Sequence, residues 1–124
     1  MAKPVDFDAT FARLRTILEP HASRLVVVHD TPDNYYLDTR HVMPNGQPLF
    51  FGGVRRGRNY VSLYLMPVYV KPELLDGISP ELRKRMQGKS CFNFKALDDE
   101  RAAELEQLAA AGMEVYEREG YVGS

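Results

Sequence analysis

A single cysteine, Cys91, occurs among the 124 residues. No disulfide can form within the chain, and a cysteine-based structural zinc site is excluded. There is no apolar run near the roughly 20 residues that span a bilayer, so no membrane association is expected. Neither sign of charge is in excess: 16 lysines and arginines stand against 17 aspartates and glutamates, for a formal charge of −1. That balance removes the global electrostatic argument for nucleic acid and disfavours it as a partner, while still allowing a local basic patch. The opening residues MAKPVDFDATF contain no apolar h-region. No secretory signal is therefore expected, and the cytoplasm is the default compartment. Internal repeats, low-complexity tracts and linkers are missing too, so residues 1–124 read as one domain.

The composition is that of a globular protein, 44% hydrophobic and 27% charged, and a domain of this length buries a substantial core. Asp6 or Asp8 can cap a first helix running to about Glu19, with Phe7, Phe11, Leu14 and Leu18 recurring at helical spacing. Residues 24–29 (RLVVVH) read as a strand, 31–34 as a turn and 35–42 as a second strand. Asn45-Gly46 is a hairpin signal. Residues 49–54 form a third strand, 56–59 a second turn and 60–66 a fourth strand. Short turns between sequential strands predict an antiparallel meander. Ser79-Pro80 then starts a short helix that Gly88 ends. A fifth strand spans 90–95. Asp98 caps a last helix that carries Leu105, Leu108, Gly112 and Val115 or Tyr116 along one face and stops at Gly120.

These elements predict an α+β fold: an antiparallel sheet of about five strands, four in a meander and one after a short helix, with the N- and C-terminal helices packed on one face. Alternation on the fourth strand sends Val61, Leu63 and Leu65 one way and Tyr60, Ser62, Tyr64 and Met66 the other. The aliphatic set is expected to meet the helices. The tyrosine set is expected to face solvent, a groove or a partner.

The run FFGGVRRGRNYVSLYLMPVY followed by ISPELRKRMQGKSCFNF resembles the YdhG-like domains, a family classed as of unknown function. The matching features are Met66-Pro67 at the end of a strand, Gly88-Lys89 after a helix, and the aromatic strand from Phe92 to Phe94. The resemblance covers the chain from about Phe7 to Tyr116 and is strongest between Pro48 and Phe94. It implies an α+β fold. Some members carry a frataxin-like iron-chaperone label, so iron handling is an implied alternative. The family has no agreed catalytic residues to carry over.

Among individual residues, Gly88-Lys89-Ser90 superficially resembles the end of a P-loop. Arg83 sits where that motif needs its first glycine, and the order helix, glycine, strand is inverted. The plain reading is a helix stop followed by an exposed lysine, and the alternative keeps Lys89 as a charge at the rim of a site. Cys91 enters an aromatic strand after a helix C-terminus, where it reads as a small buried hydrophobe. His21, His29 and His41 lie in separate segments without ligand spacing. The carboxylates Asp98, Asp99, Glu100 and Glu104 could hold iron loosely, although such a cluster is more often a solvated, dipole-favoured helix start. Arg55, Arg56 and Arg58 surround the third-to-fourth strand turn beside Tyr60 and Tyr64, an arrangement suited to a phosphate, a carboxylate or a stacked base.

No nucleophile–base or acid–base pair is visible, which favours a binding domain over an enzyme. The expected working surface is Arg55, Arg56, Tyr60, Ser62, Tyr64 and Lys89, facing a small anionic or aromatic molecule. No cofactor is specified. A homodimer burying the same tyrosine face is the competing expectation.

Overall fold

The computed structural model describes residues 6–123. Helix α1 is Phe7–Leu18, with Asp6 as its N-cap accepting from the Ala9 N–H at 3.1 Å. Its buried stripe is Phe11, Leu14, Ile17 and Leu18, with Thr10 beside it; Phe7 is only half-buried. Glu19–Arg24 continues as 3₁₀ turns, which delays the first strand to β1, Val26–Thr31. Strands β2 (Asn34–Val42), β3 (Pro48–Arg56) and β4 (Val61–Leu65) complete the expected meander. In the β2–β3 loop only Gly46 takes a positive φ, while Asn45 Oδ1 accepts from the Gln47 N–H at 2.9 Å.

Met66 does not extend β4. It opens helix α2, Met66–Val70, because Pro67 is preset for the first helical turn and cannot serve a strand ladder. The helix begun by Ser79 is only the turn α3, Pro80–Arg83. Beyond it the chain forms a two-residue strand, β5 (Met86–Gln87), and turns back at Gly88 into β6, Cys91–Phe94. Gly88 therefore turns a hairpin instead of ending a helix. The sheet has six antiparallel strands in the order β1-β2-β3-β4-β6-β5. Helix α4, Asp99–Arg118, closes the domain with Asp98 as its cap. Among the described residues, no helix is long and apolar enough to cross a membrane.

The core lies between the sheet and the helices. Val61, Leu63 and Leu65 are buried, as alternation predicts, together with Tyr35 and Leu37 of β2, Phe51 and Val54 of β3, and Phe92 and Phe94 of β6. Helix α1 lies on β3 and β4, and α4 lies on α1 and α2. The approach of α4 is set by Gly112, where an added Cβ would sit 2.8 Å from Pro67 Cβ. Tyr116 stands edge-on to Phe51 and donates its hydroxyl proton to Phe50 O at 2.8 Å, tying α4 to β3.

One irregularity in β3 positions the opposite face. Leu37 pairs with Gly52 but Asp38 pairs with Phe50, so Phe51 is an extra residue, a β-bulge. The bulge keeps Phe51 in the core while Phe50 lies half-buried on the other side of the sheet.

Candidate functional site on the open sheet face

Strand register arranges the face away from the helices into rows. One row reads His29, Tyr36, Gly53, Tyr64, Cys91 and Gln87 from β1 to β5; the next, toward the β3–β4 turn, reads Thr31, Asn34, Arg55, Ser62 and Asn93. The first row has a gap at its centre. Gly53 lies between Tyr36 on one neighbouring strand and Tyr64 on the other. The result is a groove of about 280 Å³, with Tyr36 and Phe50 on one wall, Tyr64 on the other, and His29, Asn34 and Arg55 around it.

The walls are held in place. Tyr36 and Phe50 stack with ring centroids 4.5 Å apart at 28°, and His29 meets Tyr36 edge-on at 5.7 Å. A Cβ at Gly53 would come within 2.8 Å of Tyr35 O and 3.5 Å of Phe50 Cζ. Any side chain there would strain the β2–β3 ladder and fill the groove floor.

The electrostatics leave Arg55 as the permanent charge of the groove. Burial, reinforced by Asp38, pushes the Tyr36 hydroxyl pKa up. Burial also raises that of Tyr64, with Cys91 adding to the effect and Arg55 partly offsetting it. Both phenols are therefore neutral hydrogen-bonding groups at physiological pH. Asp38, one row beyond Tyr36, has its carboxyl raised by burial, with His29 partly opposing the shift. Its buried Oδ1 has no hydrogen-bond partner among the described residues.

The six residues expected at the working surface divide. Arg55, Ser62 and Tyr64 lie together on the open face, and Tyr60 lies just before β4 at the same end. Tyr60, Ser62 and Tyr64 border a shallower depression of about 340 Å³ with Arg58, Cys91 and Asn93. Ser62 Oγ is engaged with Asn93 Oδ1 at 2.6 Å. Arg56, adjacent to Arg55 on an extended strand, points to the other side and pairs with Asp8 of α1 at 2.7 Å. Lys89 stands over the Tyr69 ring at 5.7 Å, in a separate concavity of about 580 Å³ with Val68, Leu75, Arg83 and Met86. The groove lining also includes His29, Asn34, Tyr36, Phe50 and Gly53, which sequence reasoning did not select. The available signal was the Gly52-Gly53 pair flanked by aromatic strands.

Cys91 is not the buried hydrophobe expected. It is half-buried in the same row as Tyr64, and its Sγ lies 3.4 Å from Asn93 Oδ1. Burial raises its pKa, an effect that Ser62 and Tyr64 only partly oppose, so at neutral pH it is an unactivated thiol.

The residues do not fit a preformed iron site. Asp98 caps α4, Asp99 pairs with Arg13 at 2.7 Å, and Glu100 lies 3.0 Å from Arg101. Glu104 accepts from Ser79 N–H and Oγ and lies 2.6 Å from Arg101 Nε. These contacts explain the acidic cluster structurally. Among the described residues, no three histidine, cysteine, aspartate or glutamate side chains converge as a metal site. His21, His29 and His41 each pack against an aromatic ring, Phe51, Tyr36 and Tyr121 respectively.

In comparisons with family models, curated proteins and solved structures, the chain matches none, and the groove's chemistry is read from its own geometry.

Proposed function

We propose that this chain is a non-enzymatic binding domain that holds a small planar, anionic ligand in the groove on the open sheet face. The observation that carries the reading is Gly53. It is the bare position between Tyr36 and Tyr64, flanked by the Phe50 ring and one row from Arg55. Aromatic walls over a glycine floor suit a flat ring, and a guanidinium at the margin suits its acidic substituent. The surroundings favour binding over catalysis: Ser62 meets an amide oxygen rather than a base, and Cys91 is held protonated. The resemblance to the YdhG-like domains runs from about Phe7 to Tyr116 and is strongest between Pro48 and Phe94, and membership of that family is part of the proposal. The iron-chaperone function attached to some members is not, because among the described residues no three histidine, cysteine, aspartate or glutamate side chains converge on one point.

A thermal-shift screen of planar aromatic acids beside matched non-aromatic acids tests this, since a ligand that binds the native state raises the midpoint as RT ln(1 + [L]/Kd). At least one planar acid is expected to raise it in the wild type and to lose that effect in Tyr64→Ala. Hits confined to non-aromatic molecules, or hits that ignore Tyr64→Ala, would overturn the proposal. A wild type that sediments as a dimer and Tyr64→Ala as a monomer, with no ligand effect, would instead support self-association.

A further inference from the structure

The polar groups around the groove are unevenly distributed. Neither of the two central rows contains a carboxylate, and Asp38 lies beyond them on the side away from Arg55. The row of Arg55, Ser62 and Asn93 continues to Arg85, whose carbonyl accepts from the Asn93 N–H at 2.8 Å. Arg85 itself lies in the turn just before β5, and its side chain is exposed. Arg13, Arg15, Arg24, Arg56 and Arg101 are all ion-paired. Among the described residues, no carboxylate pairs with Arg55, Arg58, Arg85 or Lys95. Arg55, Arg58 and Lys95 thus lie without a carboxylate partner at the β3–β4 turn end of the groove, while Arg40, Lys71, Arg83, Lys84, Lys89 and Arg118, equally without an ion pair among the described residues, lie elsewhere. Six acids lie on α4, on the other side of the sheet from the groove.

Arg55 lies two residues along β3 from Gly53, about 7 Å at the usual strand rise. A ring stacked over Gly53 would therefore have a cation one row away, on the turn side only. His29 and Asn34 border the groove with hydrogen-bonding groups for a heterocycle's edge. Beyond the row, Lys95 Nζ stands 5.7 Å from the Tyr60 ring, giving a second pairing of aromatic and cation at the same end. Building on the groove reading above, we infer that the ligand is a nucleotide, free or as one residue of a single strand: the base stacks over Gly53 between Tyr36 and Tyr64, and the phosphate meets Arg55. Base stacking on tyrosine and a bidentate guanidinium–phosphate contact are the general chemistry of such recognition.

The test is an amide chemical-shift titration of the whole chain with AMP, adenosine, indole-3-acetate and short oligoadenylates, in wild type and Arg55→Gln. Arg55 is exposed and forms no ion pair within the described chain, so its replacement leaves the fold intact. AMP is expected to shift Gly53, Arg55 and Tyr64 and to bind more tightly than adenosine. Arg55→Gln should weaken AMP by about tenfold, the size of a charge-assisted hydrogen bond, and leave adenosine unchanged. Oligoadenylates no tighter than AMP support a free nucleotide. Affinity that grows with length, falls with salt and spreads to Tyr60 and Lys95 supports a strand. Equal binding of AMP and adenosine, indifferent to Arg55→Gln, overturns the inference. Binding of indole-3-acetate without AMP overturns it and leaves the groove standing; if no probe moves the groove resonances, both readings fall.

Discussion

Leu63 and Tyr64 are adjacent on β4, and the account assigns them opposite duties. Leu63 is fully buried, with Val54 and Phe92 as its cross-strand neighbours, both also buried. Leu63→Ala leaves a cavity that these strand-paired neighbours cannot collapse to fill, so the loss belongs in the middle or upper part of the usual range, about 3–5 kcal/mol. For a domain this size each kcal/mol moves Tm by roughly 3–5 °C, so Leu63→Ala should lower Tm by about 10 °C or more. Tyr64 is half-buried on the groove wall, and its truncation removes only part of an aromatic surface, about 1 kcal/mol. Urea denaturation followed by circular dichroism measures both, and the slopes m should match wild type. Equal losses for the two variants would refute the reasoning, because both faces of β4 would then be core.

Gly112→Ala sets a helix-propensity gain of about 1 kcal/mol against overpacking on Pro67, where the new Cβ would meet ring carbons at 2.8 and 2.9 Å. Overpacking of about 1–3 kcal/mol should win, giving a lower Tm; a higher one would show that α2 can yield. Burial alone would raise the Glu104 carboxyl pKa, but the hydrogen bonds from Ser79 and the Arg101 charge outweigh it and lower the pKa. A depressed carboxylate contributes stability above its unfolded pKa and loses it as pH falls through its folded pKa. Glu104→Gln should therefore destabilise at pH 7, and the difference from wild type should shrink on acidification; a constant difference would contradict the pairing. Cys91 should alkylate slowly at pH 7 and faster as pH rises, and Cys91→Ser should cost less than about 1 kcal/mol because the thiol is only half-buried. Rapid labelling at pH 7 would show an activated thiolate that the structure does not account for.

The fold was legible wherever residue chemistry differed sharply between the two faces of an element. Val61, Leu63 and Leu65 against Ser62 and Tyr64 gave the β4 orientation directly, and Asp6 and Asp98 marked two helix starts. The site was less legible. Tyr35 and Tyr36 are chemically alike, so alternation alone could not say which faces the core, and the Phe51 bulge that turns Phe50 outward arises from cross-strand register. Gly53 becomes informative only once Tyr36 and Tyr64 are known to flank it. Arg56 was misplaced because β3 was ended at Val54; two more residues of extended strand send Arg55 and Arg56 to opposite sides. Lys89 was misplaced because Met86-Gln87 is too short to announce itself as a strand, and its hairpin carries Lys89 toward Tyr69.

The groove itself is tested most directly by an amide chemical-shift titration with indole-3-acetate in wild type and Tyr64→Ala. The account predicts saturable shifts centred on Tyr36, Gly53 and Tyr64, lost in a Tyr64→Ala protein whose spectrum is otherwise that of the folded domain. Shifts centred instead on Tyr69, Met86 and Lys89, or an isotherm unchanged by Tyr64→Ala, would contradict it.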